Sequence, residues 1–99
     1  MGIVDEHIEH IKTICLLHNV DKMYLFGSAL NSKFKKESDI DLLVKFKPFD
    51  LTNYFDNYLH LKQTLEELLG REVDLIEEQT LKNPVLINSI NKNKKLLYG

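Results

Sequence analysis

Asp39 and Asp41 flank Ile40 and open the most apolar run of the chain, Ile40 to Phe46. In an extended segment, side chains two residues apart share one face. The pair would therefore present two carboxylates side by side, and such groups repel in a dry site unless something compensates. A divalent cation does so, and Mg²⁺ in particular favours carboxylate oxygens together with the oxygens of a polyphosphate. Asp74, within Glu72-Val73-Asp74-Leu75, supplies a third carboxylate on the next predicted strand. If the two strands are neighbours, three negative charges meet at one edge of the sheet, a set matched to one or two Mg²⁺ ions.

Gly27 and Ser28 form the other half of the constellation. They follow the short apolar-aromatic run Met23 to Phe26, and ten residues separate Ser28 from Asp39. A strand that ends in Gly-Ser and turns into a helix offers unpaired N–H groups to an anion. Glycine lets the backbone approach closely, and the serine hydroxyl adds a donor to a phosphate oxygen. Gly-Ser alone is an ordinary turn, and Ser28 alone could be a helix cap. The acidic pair ten residues on makes the combination specific.

The pattern Gly27-Ser28, a ten-residue spacer and Asp39-Ile40-Asp41 resembles the nucleotidyltransferase superfamily related to DNA polymerase beta. The later carboxylate of that superfamily falls at Asp74. The resemblance implies that Gly27 and Ser28 bind the outer phosphates of ATP and that Asp39 and Asp41 hold Mg²⁺, with two ions in the active complex. Asp74 would activate the acceptor hydroxyl or bind the second ion. Nearly the whole chain resembles the minimal nucleotidyltransferase (MNT) type, which lacks the added helical domain of larger relatives. That type implies a small helical HEPN partner resembling an RNase toxin. The nucleotidyltransferase then acts as antitoxin by transferring AMP to a tyrosine of the partner. Transfer to a small molecule such as an aminoglycoside, within a homodimer, and neutralisation by contact without catalysis are the rival expectations.

The elements that must position these residues follow from periodicity. A helix is expected over Asp5 to His18, with Asp5 as its cap, Asn19 as a left-handed stop, and a stripe of Val4, Ile8, Ile11 and Cys15 widened by Ile14 and Leu17. Strands are expected at Met23–Phe26, Ser38–Phe46 and Arg71–Ile76. Tyr24 and Phe26 are expected to face the core, as are Ile40, Leu42, Val44, Val73 and Leu75. A short helix is expected from about Ala29 to Phe34. A long one is expected over Leu51 to Leu69, with Phe55, Tyr58, Leu59, Lys62, Leu65 and Leu69 as its stripe and Gly70 as its cap. Asn83-Pro84 opens a last helix whose apolar side is Val85, Leu86, Ile87 and Ile90. Leu96 to Tyr98 reads as a docking segment. This order predicts an α/β fold, a small mixed sheet packed with helices, in a single domain over residues 1–99.

Composition narrows the function classes. The 99 residues carry 13 Lys plus Arg against 15 Asp plus Glu, a formal charge of −2. A chain that grips nucleic acid directly would normally carry a basic excess, so no such binding is expected. Cys15 is the one cysteine, which rules out an internal disulfide and suits a buried small hydrophobe. No run approaches the ~18 apolar residues of a membrane span, and no leader is visible at the N-terminus, so a cytoplasmic location is expected. His7, His10, His18 and His60 show no metal-ligand spacing, and Lys33, Lys35 and Lys36 read as a solvated loop.

Overall fold

The computed structural model describes residues 3–26, 40–48 and 51–99. Four strands, β1 (Val20–Phe26), β2 (Ile40–Phe46), β3 (Val73–Glu77) and β4 (Lys95–Tyr98), form one sheet in the order β3-β2-β1-β4. Strand β1 runs antiparallel to both β2 and β4, while β2 and β3 are parallel. This is the expected small mixed sheet, with one strand more than periodicity showed. The addition, β4, is the Leu96–Tyr98 docking segment. Four residues are too few to display a period, and only their pairing with Met23 to Leu25 makes them a strand.

One face of the sheet carries α1 (Ile3–Glu6), α2 (Ile8–Leu17) and α3 (Tyr54–Leu69). Ile11 and Cys15 from α2, together with Leu61, Leu65 and Leu69 from α3, pack on Met23, Leu25, Ile40, Leu42, Val44, Val73 and Leu75. The strand residues expected inward on β2 and β3 are thus in the core. On β1 the parity is reversed: Met23 and Leu25 are buried, whereas Tyr24 and Phe26 are half-buried on the other face. The strand begins at Val20, and a register irregularity between Val20 and Lys22 accompanies its first pairs.

The first helix also departs from expectation. It is divided at His7, whose φ of −113° and ψ of 17° leave the helical region. Asp5 is therefore no cap; it lies inside α1 and pairs with Lys95 of β4 at 3.0 Å. Leu17 is exposed rather than part of the stripe. Asn19 does adopt the left-handed geometry, at φ 60°. Between α2 and α3 runs a polar seam the sequence did not disclose. His18 Nδ1 lies 2.6 Å from the Ile14 carbonyl, which can only accept, so this nitrogen carries the proton. Its Nε2 then accepts from His60 Nδ1 at 2.6 Å, and the Asn57 amide donates to the His18 carbonyl.

Along α3 the buried stripe is Leu61, Leu65 and Leu69, margined by Tyr54, Tyr58 and Leu68. Phe55 and Leu59, placed in the stripe by sequence, are instead exposed. A helix with large apolar residues on two adjoining faces does not say which one the sheet will cover. Gly70 closes α3 at φ 65° and donates to the Glu66 carbonyl, as its placement predicts. On the opposite side of the sheet lies α4 (Pro84–Asn93), capped by the Asn83 side chain, which accepts from Val85 and Leu86 N–H. Only Ile90 of its four apolar residues is buried; Val85 and Leu86 face outward. No helix of the described residues is long and apolar enough to cross a membrane.

A Cβ on Gly70 would meet no atom within 4 Å, so Gly70→Ala costs backbone strain alone. Urea unfolding should register about 1 kcal/mol of lost stability. Burial of Cys15 pushes its thiol from 9.0 up to about 12. The folded state thus keeps the proton that the unfolded chain releases. This contribution to stability is full below pH 9 and is lost as pH rises through about 12. The native thiol should resist iodoacetamide at pH 8 and react only after denaturant is added.

Candidate active site

The site is built by strand register. The parallel pairing of β2 with β3 sets Asp41 directly beside Asp74, and the antiparallel pairing of β1 sets Phe26 on the other side of Asp41. One row therefore crosses three strands as Phe26, Asp41, Asp74. Adjacent strands are ~4.8 Å apart, so the two carboxylates come from neighbouring backbone positions on one face. Asp41 is half-buried and Asp74 exposed. Gly27 follows Phe26 in the sequence.

The expected site residues thus divide. Asp41 and Asp74 are brought together, because β2 and β3 are neighbours in the sheet. Gly27, Ser28 and Asp39 lie outside the described residues, as does the expected short helix from Ala29 to Phe34. Among the described residues no group of three His, Cys, Asp or Glu side chains is arranged to hold a metal ion. The pair that is present fits Mg²⁺ by its chemistry. Two hard oxygen donors sit in register on one face of the sheet.

Strand β3 is an edge of the sheet, and α3 fastens it there on both sides of Asp74. The Glu66 carboxylate accepts the Val73 N–H at 3.0 Å, and the Tyr58 hydroxyl donates to the Leu75 carbonyl. Burial, then the negative charges of Asp74 and Glu77, push the Tyr58 phenol above its ordinary value, so it remains a donor. Tyr54 behaves likewise. Burial and its hydrogen bond to the Glu77 carboxylate raise its phenol. These clamps satisfy edge groups that would otherwise invite another strand, and they hold the backbone that carries Asp74. Sequence reasoning missed Tyr58 and Glu66 in this role. Their spacing says only that they share a helix, and nothing in it points to the backbone of β3.

The site face is graded along the strands. Beyond the acidic row comes an apolar one, in which Tyr24, Leu43 and Ile76 follow one another across β1, β2 and β3. Lys22 and Lys45 pair beyond that. Ile90 of α4 covers Leu43, and Lys94 Nζ stands 4.2 Å over the Tyr24 ring. A carboxylate row at one end of a sheet face, next to an apolar row under a helix, can hold a metal-bound phosphate group and a ring system side by side.

Residues 9–99 match the family described as polymerase beta, nucleotidyltransferase. The chain belongs to this nucleotidyltransferase family. It is 38% identical over 92 residues to a proposed protein adenylyltransferase of Methanocaldococcus jannaschii, covering 91% of this chain and 87% of that protein. Its fold is similar to the structure of a proposed minimal nucleotidyltransferase, with a TM-score of 0.79, 28% identity, and coverage of 96% of this chain and 95% of that one. A chain of a toxin–antitoxin complex determined with AMP-PNP is also similar, with a TM-score of 0.71 and 25% identity over 93% of this chain and 73% of that one. The chain is thus an enzyme of the nucleotidyltransferase class, and the four-stranded sheet with its helices is the minimal form of that fold.

Asp74 is one of the two oxygen donors in the row. Millimolar Mg²⁺ should therefore raise the melting temperature of the natural chain, and Asp74→Asn should shrink that rise. Differential scanning calorimetry with and without EDTA checks both outcomes.

Proposed function

We propose that this chain transfers AMP from ATP to a tyrosine hydroxyl of a small helical HEPN-type toxin, and so serves as its antitoxin in the cytoplasm. The observation that carries the reading is the Phe26–Asp41–Asp74 row, which sets a carboxylate pair beside the end of the strand that leads into Gly27-Ser28. The relative from Methanocaldococcus jannaschii bears the name of a protein adenylyltransferase. The structural neighbour with AMP-PNP belongs to a toxin–antitoxin pair. Both favour a protein acceptor over a small molecule.

In this reading one domain provides the whole nucleotide site. Asp41, with Asp39, orients the α-phosphate, and Gly27 and Ser28 donate hydrogen bonds to the outer phosphates. Asp39, Asp41 and Asp74 are the residues that would hold Mg²⁺, which would supply charge screening for the triphosphate and the departing pyrophosphate. Asp74 takes the proton of the incoming hydroxyl. The bond from the α-phosphorus to the bridging oxygen breaks as the bond to the tyrosine oxygen forms, and pyrophosphate leaves. Holding both reactants in place converts an encounter into a unimolecular step.

The test is to incubate the purified chain with its helical partner, ATP labelled at the α-phosphate, and Mg²⁺. Label should appear on the partner, and Asp39→Asn or Asp41→Asn should each reduce the rate by at least about 100-fold. Neutralisation of the partner without label would overturn the catalytic reading in favour of inhibition by contact. Label that persists in both variants would overturn the assignment of the site. Label on an added aminoglycoside instead of the partner would move the acceptor to small molecules.

A further inference from the structure

Lys22 and Lys45 stand directly opposite each other on β1 and β2, and like charges so placed weaken a ladder. Lys45 lies four residues beyond Asp41 on β2, ~13 Å away at ~3.3 Å per strand residue. Just past the strand comes Lys47, whose backbone N–H donates to the Asn19 carbonyl at 2.8 Å. Among the described residues none of these three lysines forms an ion pair. Strand register and a backbone bond thus gather three cations at the end of the sheet remote from the acids, where the transfer chemistry has no use for them.

A cavity of about 580 Å³ opens at this end, with Lys45 and Lys47 in its wall. We propose that it binds a nucleoside monophosphate, at a site separate from the carboxylate row. Its size falls within the ~300–1,000 Å³ of small-ligand sites, enough for a base, a sugar and one phosphate together. Its lining is mixed in the same proportion as that ligand. The two lysines face the phosphate. Tyr54 and Pro48 offer ring and apolar surface to the base, and the buried Phe46 backs the Tyr54 ring at 5.5 Å, nearly perpendicular to it. The remaining lining residues are Asp21 and Gln79. A carboxylate only accepts hydrogen bonds, which suits sugar hydroxyls, whereas an amide both donates and accepts. Two lysines against one carboxylate leave a single net positive charge on the wall, which suits one phosphate rather than a chain of them.

Asp21 owes its place to an irregularity in the ladder. Val20 pairs with Phe46 and Lys22 with Lys45, so two steps along β1 answer one along β2. Such an extra residue re-aims a side chain, and bulges are common beside functional sites.

The test is to titrate AMP into the chain in excess EDTA, which keeps divalent metal from the carboxylate row, and to follow backbone amides by nitrogen–proton correlation spectra. The amides of Asp21, Lys45, Lys47 and Gln79 should shift and saturate. Adenosine and inorganic phosphate, each offering one part of the ligand, should bind at least about tenfold more weakly than AMP. Lys45→Gln with Lys47→Gln should weaken AMP at least about tenfold and leave the amides of Ile11 and Leu65 in place. Gln79→Glu, at an exposed position, should also weaken AMP and gives the reading if the double variant fails to fold. Shifts confined to the surroundings of Asp41 and Asp74 would put AMP in the carboxylate row and overturn the second site. Absence of a saturable shift, phosphate binding as tight as AMP, or full affinity in the folded variants would overturn it as well. None of these outcomes bears on transfer from ATP, which requires the acids and Mg²⁺.

Discussion

Two carboxylates in register on neighbouring strands set the terms for the rest of this molecule. Asp41 and Asp74 occupy paired positions of a parallel ladder, which sets two acidic side chains on one face of the sheet. What holds the ladder is the core beneath it. Ile40, Leu42, Val73 and Leu75, the neighbours of the acids in sequence, all point to the opposite face and are buried there. Period-two alternation makes the two demands compatible. Apolar burial of roughly 25 cal/mol per Å² acts on one face, while the other carries the acids.

Parallel strands need a crossover, and here α3 is that crossover. It does more than connect. Its Leu61, Leu65 and Leu69 bury the sheet, and its Tyr58 and Glu66 tie down the backbone on either side of Asp74. Asp74 is thereby carried on an edge strand that would otherwise be the least restrained part of the sheet. The same bonds satisfy outward-facing backbone groups, which lowers the tendency of the edge to recruit a foreign strand. Stability and positioning therefore come from the same contacts.

The two faces of the sheet have different work. Under α2 and α3 the packing is continuous and dry, as the raised thiol of Cys15 reflects. Under α4 it is sparse, with Leu43 and Ile90 buried beside a cavity rather than within a filled core. Among the described residues, α4 is the helix on the side of the sheet that bears the carboxylates, and Ile90 is its one buried residue.

The family was legible in the sequence because its pattern resides in local spacing. Gly27-Ser28, Asp39-Ile40-Asp41 and Asp74 stand out by residue type and interval, and of these the structure describes Asp41 and Asp74, paired across β2 and β3. Gly70 and Asn83 were equally readable, since caps depend on backbone geometry within one turn. Other features depend on which surfaces meet, and no local rule contains that. Phe55 and Leu59 lie outside the buried stripe because the sheet met the adjoining face of α3. Tyr24 and Phe26 face away from the main core because the register of β1 against β2 put Met23 and Leu25 inside. Strand β4 exists only by virtue of its partner. The residue types of the acidic row could be read from the chain alone, whereas its alignment is a property of pairing: a shift of one residue between β2 and β3 would have turned Asp74 to the opposite face from Asp41.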